Sequence, residues 1–253
     1  MSTAGVARTI KSPLTDNDLP MLDTLPRLLN TSLLSLRDWI FPERCRLCAA
    51  PGAALCADCC VELPRLSATR CPICARPQAG NSPCGACQGR APGFAAVYTP
   101  FAYAAPLDGA IQAWKFGGRL DWTLPLADVW LNTWEELPPF PHALVPVPLH
   151  RNRLRERGFN QAALLARRWG RAWGIPVRLA ARRQRDTAHQ VGLKAEQRRH
   201  NLRDAFRIHG SLPEHVAIVD DVFTTGTTAG VLAETLRAAG CRQVDVWVLA
   251  RAL

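Results

Sequence analysis

The stretch His215-Val-Ala-Ile-Val-Asp220-Asp221-Val-Phe-Thr224-Thr225-Gly226-Thr227-Thr228 decides how this chain is read. It opens with a four-residue apolar run, Val216–Val219, which suits a strand covered on both faces. Two adjacent carboxylates close the run, a turn of small hydroxyl residues follows, and Thr227–Ala239 reads as a helix stopped by Gly240. Small side chains let backbone N–H groups approach a ligand, and Gly226 admits a backbone angle that other residues resist. The threonine hydroxyls add donors, and the helix N-terminus favours negative charge. Thr224, Thr225, Gly226, Thr227 and Thr228 therefore form a candidate phosphate cradle. Asp220 and Asp221 repel phosphate but suit sugar hydroxyls or a hydrated Mg²⁺. A phosphate turn beside a hydroxyl-binding acid pair describes a sugar phosphate. Neither the lysine-bearing nucleotide loop nor the dinucleotide glycine fingerprint occurs in the sequence.

Outward from this stretch, strand and helix patterns alternate. Ala96–Tyr103, Ala143–Val147 and Val244–Leu249 are rich in β-formers. Leu107–Phe116, Trp122–Leu137 and Gly158–Trp173 repeat apolar residues at helical spacing. The pattern predicts an α/β fold, a parallel sheet with helices on both faces, whose ligands gather beyond the carboxyl ends of the strands.

The chain has 253 residues and a formal net charge of +10. Residues 151–207 alone carry 16 basic and 4 acidic side chains, a block of +12, so the remainder is slightly acidic. Such a local arginine block asks for an anionic ligand rather than a diffuse nucleic-acid coat. The longest uncharged apolar stretch, Ala91–Leu107, contains three prolines and is too short to span a bilayer. No basic-then-apolar leader opens the sequence, which predicts a cytoplasmic chain with reduced thiols.

Nine of ten cysteines lie between Cys45 and Cys87. Eight form four pairs spaced by two residues: Cys45/Cys48, Cys56/Cys59, Cys71/Cys74 and Cys84/Cys87. Such spacing aims two thiolates at one ion, and four sulfurs close a tetrahedral structural zinc site. Two Zn²⁺ are expected, shared sequentially by the pairs, with an interleaved arrangement left open. Spacing also allows Cys60 to replace Cys59. The intervening loops are too small to hold a core without metal. Cys241 reads as a small apolar filler.

Residues 1–20 are polar and aperiodic, which predicts disorder. Residues 22–40 place Leu22, Leu25, Leu29, Leu33, Leu36 and Ile40 on one helical stripe, interrupted at Pro26. That stripe suits packing on the body, with a membrane surface as the alternative.

The Val219–Thr228 stretch resembles the phosphoribosyl-pyrophosphate (PRPP) motif of type I phosphoribosyltransferases. Four further features narrow the resemblance to the ComF family of competence-type phosphoribosyltransferase-like proteins. They are the cysteine-rich front; Tyr103, Pro106 and Leu107 with Ile111, Lys115, Phe116 and Gly118; Val145–His150 with Arg151, Arg153, Arg157, Gly158, Phe159, Asn160 and Gln161; and Thr187, Gln190, Gly192, Leu193, Arg198, Asn201, Leu202, Ala205 and Phe206. The resemblance covers about residues 40–250. It implies 41–90 as a double zinc-ribbon module and 91–253 as a type I phosphoribosyltransferase-like domain; residues 1–40 lie outside it and read, from composition and stripe, as a disordered N-terminus and amphipathic helix.

The resemblance further implies that Asp220 and Asp221 hold the ribose hydroxyls and Thr224–Thr228 the 5′-phosphate, with Mg²⁺ accompanying PRPP. His150 and Arg151 would contact the diphosphate. Residues 182–203 would correspond to the family's flexible loop, making Arg182, Arg183 and Arg185 candidate contacts, and the zinc module would take the place of the acceptor-selecting hood. Arginine suits this role because it grips phosphate through paired hydrogen bonds. The expected activity is phosphoribosyl transfer to an unknown acceptor, linked to DNA uptake. The alternative is a non-catalytic PRPP- or single-stranded-DNA-binding accessory that works with competence or recombination proteins. Glutamine-dependent amide transfer is not expected, since the first cysteine stands at position 45.

Overall fold

Alternation of side chains along two neighbouring strands explains the core. The computed structural model describes residues 43–134, 137–184 and 205–253. Strands β1 (Val97–Tyr98) and β2 (Phe101–Ala102) both pair with β7 (Gln243–Arg251), which pairs with β6 (His215–Phe223), which pairs with β3 (Ala143–Pro146). Every pairing in this sheet is parallel. Val216 and Ile218, with Val244, Val246 and Val248, enter one apolar cluster with Leu232 and Leu236 of helix α7 (Thr227–Ala238). Ala217, Val219, Trp247 and Leu249 point the other way. There they meet α3 (Leu107–Phe116), α4 (Thr123–Leu131) and α6 (Gln161–Trp173). Period-two alternation thus buries both faces of the sheet.

The second face is built on tryptophan. Trp130 and Trp169 stack with ring centroids 3.9 Å apart. Their indole N–H groups donate to the carbonyls of Val248 at 2.8 Å and Ala127 at 3.1 Å, so both large side chains are buried without an orphan donor. Trp169 and Phe159 both pack with this core, as the helical stripe predicted.

Several boundaries differ from the sequence expectations. The helix expected over Trp122–Leu137 ends at Leu131, after a 3₁₀ turn at Leu120–Trp122. The helix expected from Gly158 begins at Gln161, where the Asn160 side chain accepts from the Ala163 amide. A separate helix α5 (Arg151–Arg157) precedes it and ends at Gly158 in the left-handed region, φ 76°. Strand β6 continues through Asp220 and Asp221 to Phe223, pairing Asp220 with Val248. A short antiparallel pair, β4 (Ala181–Arg183) with β5 (Phe206–Ile208), has no counterpart in the sequence pattern.

The cysteine-rich front is an internal repeat. Cys45-Arg-Leu-Cys48-Ala49-Ala-Pro51 and Cys71-Pro-Ile-Cys74-Ala75-Arg-Pro77 form matching knuckles. In each, the first cysteine accepts from the alanine amide, Ala49 or Ala75, which takes a positive φ. Each knuckle faces a short helix, α1 (Ala57–Val61) or α2 (Gly85–Gly89), that carries the remaining two cysteines of its cluster at or beside its start. The first repeat is tied to the body by Arg46, whose Nε donates to Asp121 Oδ2 at 3.0 Å. Hydrogen bonds from Arg119, then Arg46, hold the Asp121 carboxyl down at about 2. The second repeat shares the core of the sheet itself, through Cys71, Cys74, Ala75, Cys84 and Cys87.

Candidate functional site

Two four-cysteine clusters stand out first: Cys45, Cys48, Cys56 and Cys59, then Cys71, Cys74, Cys84 and Cys87, with sulfurs within 4.8 Å of one another in each. Sulfur pairs in both approach to 3.6 Å, close to the about 3.8 Å edge of a tetrahedron with zinc–sulfur bonds of about 2.3 Å. The donor set, spacing and closed geometry fit structural Zn²⁺. The pairs are shared sequentially, and the open choice resolves to Cys59, because Cys60 packs against the apolar core. Burial raises the Cys45 and Cys71 thiols, but backbone amide donors outweigh it and bring each to about 6. For Cys71 one such donor is the Cys84 amide, at 3.3 Å. Cys241 is buried, and burial pushes its thiol up, as suits a filler.

The second constellation sits at the carboxyl end of β6. Asp221 is 8% exposed, and Lys115 Nζ, from the last turn of α3, reaches its Oδ1 at 2.7 Å. The adjacent Asp220 accepts the Asp221 amide at 2.9 Å. Desolvation, then the charge of Asp221, raises the Asp220 carboxyl to about 7, against the opposing charges of Lys115 and Arg183.

The turn after β6 holds Thr224 and Thr225 exposed and Gly226 at φ 76°, opening α7. The Thr225 and Thr227 hydroxyls share a hydrogen bond of 2.8 Å, and the Thr227 amide donates to Thr225 Oγ1 at 3.4 Å. A Cβ on Gly226 would stand 2.5 Å from the Phe223 ring, so glycine is required by both angle and space. Thr228 follows in the first turn of α7.

The other expected residues converge partly. His150 caps α5, its side chain accepting from the Asn152 amide at 3.4 Å, and Arg151 begins that helix with its side chain exposed. Arg183, on β4, lies over the Phe206 ring at 5.8 Å and exerts its charge on Asp220. Its neighbour Arg182 is exposed and registers with Arg207. Arg185 lies outside the described residues, as do most of residues 182–203 and the stripe over residues 22–40.

Three residues at the site carry no such expectation from the sequence. Lys115 is one of three lysines in the chain, a signal hidden inside a motif that bears on family resemblance. Arg157, at the end of α5, is half-buried, feels the charges of Asp221 and Asp220, and covers the Phe116 ring at 5.0 Å. That ring is 74% exposed. Arg251 is 4% exposed and bonds to the residues that open the threonine turn. Its sequence position near the end of a strand carries no hint of this.

A cavity of about 550 Å³ lies elsewhere, between the first cysteine repeat and α4, beside Arg46, Cys60, Asp121 and Leu124. No helix of the described residues is long and apolar enough to cross a membrane.

Residues 36–88 match the double zinc ribbon domain family. The DNA utilization protein YhgH of Escherichia coli is 36% identical over 232 residues, covering 84% of this chain and 98% of that protein. Competence protein F of Haemophilus influenzae is 37% identical over 180 residues, 67% of this chain and 78% of that one. Competence protein ComFC of Bacillus subtilis is 28% identical over 209 residues, 75% and 80% of the two chains. Among solved structures, a purine phosphoribosyltransferase from Pyrococcus horikoshii matches with a TM-score of 0.27 and 16% identity, over 61% of this chain and 87% of that one.

Proposed function

Because the chain belongs to the ComF family of competence and DNA-utilization proteins, we propose that it binds Mg²⁺-PRPP at the Asp220–Thr228 site and transfers the phosphoribosyl group to an acceptor during DNA uptake. The observation that carries this reading is the juxtaposition of two adjacent carboxylates, one of them buried and bound by Lys115, with a hydroxyl-lined turn at the start of α7. The acids suit ribose hydroxyls; the turn suits the 5′-phosphate. His150, Arg151 and Arg183 supply donors and positive charge for the diphosphate. Mg²⁺, when bound with PRPP, neutralises the diphosphate oxygens, and carboxylate oxygens of the acid pair suit it or the ribose.

In this reaction the bond between C1 of the ribose and the diphosphate oxygen breaks, the electron pair leaves with diphosphate, and the acceptor nucleophile bonds to C1. The nucleophile's proton passes to the departing diphosphate or to water. The chain's contribution is orientation and charge: cations stabilise the leaving group, and the acid pair stabilises the positive charge that develops on the sugar. Lys115 pairs with Asp221 at 2.7 Å and adds a positive charge beside the acid pair. The test is thermal stabilisation by PRPP with Mg²⁺, abolished in Asp221→Asn, together with a screen of bases and nucleic acids for PRPP-dependent diphosphate release. An undiminished shift in Asp221→Asn refutes the ribose assignment.

One observation favours the second reading, a non-catalytic PRPP- or single-stranded-DNA-binding accessory. Phe116 presents an exposed ring beside the site with Arg157 over it, a combination suited to stacking a base next to a phosphate backbone. Under this reading diphosphate release stays absent with every acceptor. DNA affinity falls steeply with salt, drops in Phe116→Ala and survives Asp221→Asn.

A further inference from the structure

We infer that Arg251 makes the second zinc ribbon part of the phosphate site, holding the threonine turn in its binding shape. This rests on the proposal that the turn receives a sugar phosphate. Arg251 ends β7 and is 4% exposed, so its charge is nearly removed from water. Such a charge is retained only where its surroundings satisfy it. Its acceptors are all backbone carbonyls: Nε donates to Cys74 at 3.0 Å, and Nη1 to Phe223 at 3.1 Å, to Thr224 at 2.6 Å and to Ala252. One guanidinium therefore spans the zinc knuckle and the first residues of the turn.

The next contacts carry that position into the turn. The Arg251 guanidinium lies 5.0 Å from the Phe223 ring centroid, and Phe94 meets the same ring edge-on at 5.7 Å. That ring fills the space in which a Cβ of Gly226 would lie. Moving Arg251 moves Phe223, and moving Phe223 releases the left-handed residue that aims the Thr227 amide. Among the described residues the first cluster has no equivalent tie; its anchor is Arg46 on Asp121, at the 3₁₀ turn before α4. The two ribbons thus differ in what they hold.

The experiment separates the two ends of the substrate, using ribose 5-phosphate for the turn and Mg²⁺-diphosphate for the His150–Arg151 end. In Arg251→Lys and Arg251→Gln, ribose 5-phosphate affinity should fall at least about tenfold. Diphosphate affinity and a content of two zinc ions per chain should stay unchanged. General unfolding would lower both affinities, so the split marks a positioning role. A second route needs no change at Arg251. In Cys56→Ser, which keeps only the second zinc, ribose 5-phosphate should bind within about twofold of the unmodified chain. Stripping that remaining zinc should then weaken it about tenfold while diphosphate binding persists. Equal ribose 5-phosphate binding before and after stripping overturns the coupling and leaves the phosphate site standing. An unmodified chain that binds no ribose 5-phosphate overturns both.

Discussion

Asp220→Asn should make the ligand-free protein more stable while removing its response to Mg²⁺-PRPP. The side chain keeps an oxygen to accept the Asp221 amide and exchanges the other for an NH2 group, so it can no longer ionise. In the folded chain the Asp220 carboxyl is raised from 3.8 to about 7, first by desolvation and then by Asp221. The folded state therefore binds the proton more tightly than the unfolded chain. Stability is lost as pH rises from about 4 to about 7, and the full cost applies above that range. At about 1.4 kcal/mol for each tenfold change in proton affinity, the cost is bounded by about 4 kcal/mol. Partial solvent access reduces this, so about 1–2 kcal/mol is expected at pH 8. That corresponds to a rise of about 3–6 °C in melting temperature for a chain of this size. At pH 5 the gain should shrink to under half, because most folded molecules already carry the proton there. Calorimetry of both chains at pH 8 and pH 5, each with and without Mg²⁺-PRPP, measures all four quantities. A melting temperature lowered by Asp220→Asn at pH 8 in the absence of ligand would refute the assignment of strain to this carboxylate.

Three further outcomes follow from the same geometry. Lys115→Met should leave the mostly buried Asp221 charge uncompensated and cost about 3 kcal/mol in urea unfolding; combining it with Asp221→Asn should recover more than about 1 kcal/mol, and strictly additive losses would contradict the ion pair. Gly226→Ala should cost about 1–3 kcal/mol through the forced positive φ, with more added by the clash with Phe223, and weaken ribose 5-phosphate binding; an unchanged stability and affinity would remove the steric requirement. Metal analysis should find two zinc ions in Cys60→Ser and one in Cys59→Ser, and acid should release zinc because protons compete for the thiolates. The reverse pattern would exchange the ligand assignment.

What could be read in the sequence was the chemistry that repeats at fixed spacing. The four cysteine pairs, the apolar run Val216–Val219 and the threonine turn after the two aspartates each carry their own local cause. Helix Leu107–Phe116 was legible because its apolar stripe is clean and Gly117-Gly118 ends it. Helix α5 was not, since Arg151–Arg157 contributes no buried residue and so has no stripe to detect. Its limits come instead from the His150 cap and Gly158. The β4–β5 pair escaped because three-residue strands separated by more than twenty residues have no local signature. Lys115 and Arg251 escaped for another reason: Lys115 meets Asp221 and Arg251 meets Cys74 across more than a hundred residues of sequence, and Arg251 reaches the turn across 27 or 28.

The arginine block of residues 151–207 divides once it is folded, and the division limits what a sugar phosphate can explain. Arg157 covers Phe116 beside the acid pair, and Arg183 exerts its charge on Asp220. Arg151 starts α5 after the His150 cap. These side chains suit an anionic ligand at the carboxyl end of the sheet. Arg168 instead pairs with Asp128 of α4 at 2.7 Å, and Arg167 and Arg171 lie on the same helix, α6, whose apolar face packs on the tryptophan core. Among the described residues no contact connects that outer face to Asp220 or Asp221, so its charge is not explained by PRPP. Charge on α6 and charge at the acid pair are therefore separable variables. Reversing Arg167 and Arg171 to Glu should leave Mg²⁺-PRPP binding intact, whereas any nucleic-acid affinity carried by the block should lose about two units of its salt slope.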